Sequence, residues 1–137
     1  MTNDLEVVRT VYERVLSDLA APHAEAAMLE LTQPDVEIDL SRQVFNPAVY
    51  RGHDEIRASM GDVREAWETF RVTPEQFMEG EDVVLVTEMV HARGRGSGVG
   101  ITSESASVYR LRDGKLTHIT VYRNRSEAFE AAGLPEP

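Results

Sequence analysis

At 137 residues the chain is read as one domain over 1–137, large enough to bury roughly two thirds of its unfolded surface without covalent staples. Its formal charge of −10, with 14 Lys and Arg scattered so that Arg110, Arg112, Lys115, Arg123 and Arg125 come nearest to a cluster, argues against nucleic acid as a partner. The lack of cysteine rules out disulfides, a thiolate nucleophile and Cys-based zinc, and a start without a signal-peptide pattern, with no apolar run near the ~20 residues of a membrane span, leads one to expect a cytoplasmic protein with no membrane partner.

From Asp4 to Ala20, Leu5, Val8, Val11, Tyr12, Val15, Leu16 and Leu19 recur at helical spacing, with Asn3 or Asp4 placed to cap the start. "AAPH" interrupts this helix, and a second, short one is predicted over Ala24–Leu31. Next comes "PDVEIDLSR", Pro34–Arg42, where Asp35, Glu37 and Asp39 alternate with Val36, Ile38 and Leu40. That pattern makes a strand with one acidic and one apolar face. If Asp39 looks into a closed pocket it is a candidate proton carrier; if it looks outward it is surface chemistry. Ser41–Arg51 reads as a long loop of functional interest, and its Arg42 is placed to pair with Asp39 and lower that carboxyl's pKa.

A third helix is expected in "GHDEIRASMGDVREAW", with His53 or Asp54 near the N-cap and a stripe of Ile56, Met60, Val63 and Trp67. From Phe70 onward the pattern changes to four strands: "FRVTPEQFM", "DVVLVTEMVHARGRG", "ITSESASVYRLR" and "KLTHITVYRN". "EGED" and "RDGK" are hairpin turns, and "GRGSGVG" is a flexible connection. A closing helix, "SEAFEAAG", is expected to be capped by Ser126 and stopped by Gly133. Helices followed by a meander of antiparallel strands make an α+β fold.

Several side chains could carry chemistry. His91 and His118 lie in the meander and titrate near neutrality when unperturbed. Glu88, mid-strand in "VVLVTEMVH", is either an inner-face acid with a raised pKa or an outer-face or dimer-interface acid. Tyr12, Tyr109 and Tyr122 are each core aromatics or pocket lining. The histidines at 23, 53, 91 and 118 lack paired ligand spacing, so no metal is expected. "GRGSGVG" joins two strands and lacks the Lys-Ser or Lys-Thr of a phosphate loop, so no nucleotide or other cofactor is expected either.

The order of elements, with "VYRGHDEI" at Val49–Ile56, "YRLRDGKL" at Tyr109–Leu116 and "VYRNRSEAFEAAGL" at Val121–Leu134, resembles the SnoaL-like family of the nuclear-transport-factor-two-like superfamily across nearly the whole chain. The resemblance implies a conical barrel, in which a strongly curved, mainly antiparallel sheet wraps N-terminal helices around an internal pocket. It also implies a homodimer formed through the open face of the sheet. Relatives include steroid isomerases, polyketide cyclases, epoxide hydrolases and dehydratases, beside members that only bind or associate, so the fold implies a pocket and not a reaction. Laid on the steroid isomerase pattern, Tyr12 falls at the position of the oxygen-donating tyrosine, Asp39 at or one residue from the proton-carrying aspartate, and Ser107 where the second acid stands. Asn124 falls where the cyclases carry an aspartate, and the hydrolases' Asp, Arg, Asp set has no counterpart. Two functions follow as expectations. One is metal-free acid and base chemistry, such as isomerisation, cyclisation or dehydration of a small apolar carbonyl compound, with Asp39 and Tyr12 catalytic and Glu88, Ser107, Tyr109, His118, Tyr122 and Asn124 lining the pocket. The other is noncatalytic binding of a small apolar molecule, or dimerisation, by the same fold.

Overall fold

A computed structural model describes residues 3–43 and 47–137. Helix α1 (Asp4–Arg14) is capped by Asn3, whose side chain accepts a hydrogen bond from the Leu5 N–H at 2.9 Å, with Asp4 and Glu6 in its first turn. It ends earlier than its apolar period suggests. The chain beyond Arg14 is spent instead on the edge of the sheet: the Leu16 carbonyl accepts from the Val72 N–H at 2.8 Å and the Leu19 N–H donates to the Phe70 carbonyl at 2.7 Å. Helix α2 (Pro22–Leu31) starts with Pro22 in its first turn, where a missing N–H costs nothing, and runs directly into β1 (Thr32–Asp39). The loop expected over 41–51 contains a short strand, β2 (Val49–Arg51), antiparallel to β1; its residues 44–46 lie outside the described residues.

Helix α3 (Gly52–Ala66) begins after Arg51 without a side-chain cap, so neither His53 nor Asp54 takes that role. Trp67, expected on the helical stripe, instead opens β3 (Trp67–Gly80), its ring edge-on to Phe70 at 5.7 Å. Strands β4 (Val83–Gly94), β5 (Gly100–Arg112) and β6 (Lys115–Tyr122) complete the meander. Its tight turns use Asp82 at φ +56° and the pair Asp113 and Gly114 at φ +52° and +77°, the left-handed conformations that two-residue hairpins require. Helix α4 (Arg125–Ala132) is capped by Asn124 rather than Ser126 and ends at Gly133, φ +70°.

The six strands form one sheet in the order β2-β1-β6-β5-β4-β3, parallel only between β1 and β6. This is the expected α+β architecture, a mainly antiparallel sheet curved around the N-terminal helices. Bulges at Trp67/Thr69, Pro74/Gln76 and Arg110/Leu111 bend the strands, and Pro74 is tolerated because it sits at a bulge of an edge strand. On the inner, concave side Val8, Val11, Val15, Ile56, Met60, Val84, Val86 and Ile119 pack into one apolar core. On the outer side Val83, Leu85, Val108, Tyr122, Ala128 and Phe129 form a second cluster beneath α4. Among the described residues no helix is long and apolar enough to cross a membrane.

Candidate functional site

The site is set by register. In the β4–β5 pair Glu88 stands opposite Ser105, Val86 opposite Ser107 and Val84 opposite Tyr109. Because side chains alternate between faces, the same-face set that contains the core residues Val84 and Val86 also turns Glu88, Ser105, Ser107 and Tyr109 inward. Helix α1 brings Tyr12 to meet them, held by its buried neighbours Val8, Val11 and Val15.

The polar atoms of these five residues close into one cluster. The Tyr12 hydroxyl donates to Glu88 Oε1 at 2.5 Å, while the Ser105 and Ser107 hydroxyls donate to Oε2 at 2.7 and 2.8 Å. The Tyr109 hydroxyl donates to the Tyr12 oxygen at 2.8 Å, so a chain of hydroxyls ends on the carboxyl. The rings of Phe77 and Tyr109 stand edge-on to Tyr12 at 5.6 and 6.0 Å. Only 2 % of Glu88 is exposed. Burial pushes its pKa above the usual carboxylate range, and the bonds from Ser105, Tyr12 and Ser107, with the charge of Arg125, draw it only part of the way back. Burial, reinforced by the neighbouring Tyr109 and Glu88, pushes Tyr12 well above an ordinary phenol; burial and the Glu88 charge also push Tyr109 up. Both phenols therefore remain protonated donors across the working pH range. Chemically, the cluster is a carboxyl whose burial makes it hold its proton more tightly than an ordinary glutamate, beside a donor already polarised by a second hydroxyl.

The structure thus brings together Tyr12, Glu88, Ser107 and Tyr109 from the sequence-based set and adds Ser105. Its signal was present in "SESAS", where a serine at every second position shares the face of Tyr109. It does not bring Asp39 to them. Asp39 is opposite Thr120 of β6, and Thr120 shares the outer face with Val108, so the carboxyl looks away from the interior. Partial burial raises its pKa, but the Ser41 hydroxyl and N–H at 2.6 and 2.9 Å and the Arg42 guanidinium at 3.2 Å outweigh that and hold it below the usual range. Arg42 in turn lies over the Tyr122 ring, 4.7 Å from its centroid.

Three residues expected to line the pocket are likewise placed elsewhere. Tyr122 belongs to the outer cluster under α4. His118 is exposed, opposite Glu37 and Arg110, with its ring against the Thr117 hydroxyl. Asn124 accepts from the Glu127 N–H at 3.3 Å as the α4 cap. Two depressions, of about 330 and 170 Å³, open on the outer face of the sheet: the first is lined by residues including Thr87, Arg125 and Phe129, the second by residues including Arg71, His91 and Arg93. Among the described residues no three His, Asp or Glu side chains gather as metal ligands.

No curated protein matches the chain. Solved structures do, at low identity and over nearly full length. An NTF2-like protein of unknown function from Burkholderia pseudomallei is 20 % identical with a TM-score of 0.75, covering 96 % of this chain and 98 % of that one. A protein with a ketosteroid isomerase-like fold from Catenulispora acidiphila, in complex with trimethylamine, is 18 % identical, TM-score 0.73, covering 98 % and 96 %. A putative SnoaL-like polyketide cyclase from Jannaschia is 15 % identical, TM-score 0.73, covering 97 % and 93 %. Likenesses at this identity establish the fold alone. The sequence profile of the SnoaL-like domain matches residues 11–119, most of the chain and the whole span from Tyr12 to β6, and the protein belongs to that family.

Proposed function

We propose that the interior cluster is an acid and base site acting on a small, mostly apolar carbonyl compound, with Glu88 as the proton carrier and Tyr12 as the donor to the substrate oxygen. The observation that supports this reading is the Glu88 carboxyl itself: buried, shifted toward neutrality and hydrogen-bonded by three hydroxyls. In the proposed step the Glu88 carboxylate takes a proton from the carbon next to the carbonyl. The electrons of that C–H bond pass to the oxygen as an enolate, and the Tyr12 hydroxyl, backed by Tyr109, turns from the now-protonated Glu88 to donate its one hydrogen bond there. Exchange of the Glu88 proton with solvent, followed by return of a deuteron to the same carbon, gives deuterium uptake; return of the proton to a conjugated carbon gives isomerisation. Ketosteroid isomerase-like and polyketide cyclase-like neighbours share the fold, and enolate chemistry suits both names.

The test is deuterium uptake in heavy water by a panel of small ketones, including β,γ-unsaturated ones, followed by mass spectrometry. Wild-type protein is expected to exceed Glu88→Gln by about a hundredfold or more, and Tyr12→Phe by at least about tenfold. Asp39→Asn, altered on the outer face, should match wild type. Wild-type uptake no faster than that of Glu88→Gln across the panel would overturn the proposal.

A second reading, binding or association without turnover, is favoured by one observation. Among the described residues no buried side-chain oxygen or nitrogen lacks a partner, so the cluster is already satisfied without a ligand. Binding of a panel ketone with no exchange would select it. We further propose that two copies pair through the outer face of the sheet, where α4 packs against β4–β6 and leaves Arg71, Arg93 and Glu104 exposed.

A further inference from the structure

Arg125, the first residue of α4, lies on the opposite side of the sheet from the cluster, yet its guanidinium reaches the backbone of two cluster residues. Its Nη2 donates to the Glu88 carbonyl at 2.9 Å and its Nε to the Ser105 carbonyl at 3.1 Å. Glu88 and Ser105 are directly opposed across β4 and β5, and on the inner face their side chains are bonded to each other at 2.7 Å. The same cross-strand pair is therefore tied on both faces: inside by hydroxyl and carboxyl, outside by one planar fork across two carbonyls. Only arginine has several donors fixed in one plane for such a bridge. The guanidinium is itself held, by Glu75 at the β3 bulge and by Glu104 of β5 at 3.4 Å, and its side chain is 25 % exposed.

We infer that Arg125 is a positioning residue for Glu88, fixing the Glu88–Ser105 pair through the sheet so that the carboxyl meets the Tyr12, Ser105 and Ser107 hydroxyls together. Its role as an aid to catalysis rests on the reading of Glu88 given above; its action on the carboxyl does not. Two effects combine. The fork sets the separation and pitch of β4 and β5 where three hydroxyl bonds converge on one carboxyl, and a misplacement of even about 1 Å is enough to break such bonds. The positive charge behind the sheet also favours the ionised carboxyl, opposing the burial that disfavours it.

The experiment needs no substrate. The carboxyl carbon of Glu88 is titrated by NMR, assigned with Glu88→Gln, and the low-field proton of the Tyr12 to Glu88 bond is followed in wild type, Arg125→Gln and Arg125→Lys. Arg125→Gln is expected to raise the Glu88 midpoint and to broaden or lose the low-field proton. Arg125→Lys keeps the charge without the fork, so it should lose the proton signal while its midpoint rises less. A merely structural arginine would lower the melting temperature of both variants and move neither reading, and a folded Arg125→Gln with the wild-type midpoint and proton signal would overturn the inference. If neither variant folds, Glu104→Gln at the exposed end of the network decides. Freeing Arg125 from that carboxylate should lower the Glu88 midpoint, and no change would overturn the inference. Absence of ketone exchange by wild type would sink the proposed reaction and leave these readings intact, so the two fail separately.

Discussion

Burial raises the pKa of Glu88 above its ordinary value, and that has a thermodynamic consequence independent of any reaction. Its folded pKa lies above the unfolded reference of about 4.3, so between the two values the native protein binds the extra proton. The stabilisation is complete below the unfolded value and is lost as pH rises through the folded one, each unit of separation being worth about 1.4 kcal/mol. Glutamine cannot ionise. Thermal melts from pH 4 to 8 should therefore show wild type losing stability relative to Glu88→Gln as pH rises, then levelling off; a constant difference would contradict a raised Glu88. Asp39 works in the opposite sense, since its lowered pKa gives stability that is present above the free-aspartate value and lost as pH falls. The two acids were hard to rank from sequence for a physical reason. In "VVLVTEMVH" both faces of the strand are covered, by the core on one side and α4 on the other, so alternation leaves no trace in the residue types. In "PDVEIDLSR" alternation is plain, and it correctly makes one face acidic, but only the partner strand tells which face that is.

At the scale of elements, local chemistry decided some boundaries, and these were legible. The "RDGK" hairpin, Asn3 before α1 and Gly133 after α4 each have the backbone conformation or bond their residue type favours. Boundaries set by tertiary contact were not legible. Helix α1 stops at Arg14 because the following backbone bonds to β3, and Trp67 leaves the helical stripe to open that strand. The α4 cap shows how close the competing signals are. Asn124 and Ser126 are both good capping types, but Asn124 bonds the Glu127 N–H while the Ser126 hydroxyl donates to the Glu136 side chain at 2.8 Å. Asn124→Ala should cost about 1 kcal/mol in denaturant unfolding and Ser126→Ala much less. Equal losses would mean that the cap is not where the backbone places it.

For the molecule as a whole, charge and architecture pull in different directions. An excess of ten negative charges opposes association of like copies, yet the outer face of β3 and β4 displays Arg71 and Arg93, with Glu104 of β5 one row away. A two-fold arrangement that sets this basic end against the acids of a second copy would be self-complementary. Sedimentation equilibrium should then return about twice the 15.3 kDa chain mass, with dissociation promoted by Arg71→Glu; a monomer mass at all micromolar concentrations would exclude the pairing.

The burial of β4 and β5 on both faces bears on how this chain tolerates change. Val83–Glu88 and Ser105–Tyr109 are buried without interruption, whereas the far end of β5 is largely open to solvent. In most half-covered strands every second position is free to drift, and a family can vary its pocket by substituting inward residues while outward ones absorb random change. Here eleven consecutive-block positions answer to packing on one side or the other, so a new side chain volume inside is felt by the layer beneath α4 as well. Diversification of the interior is thereby channelled away from these two strands, toward α1 and β3, whose opposite faces are more exposed.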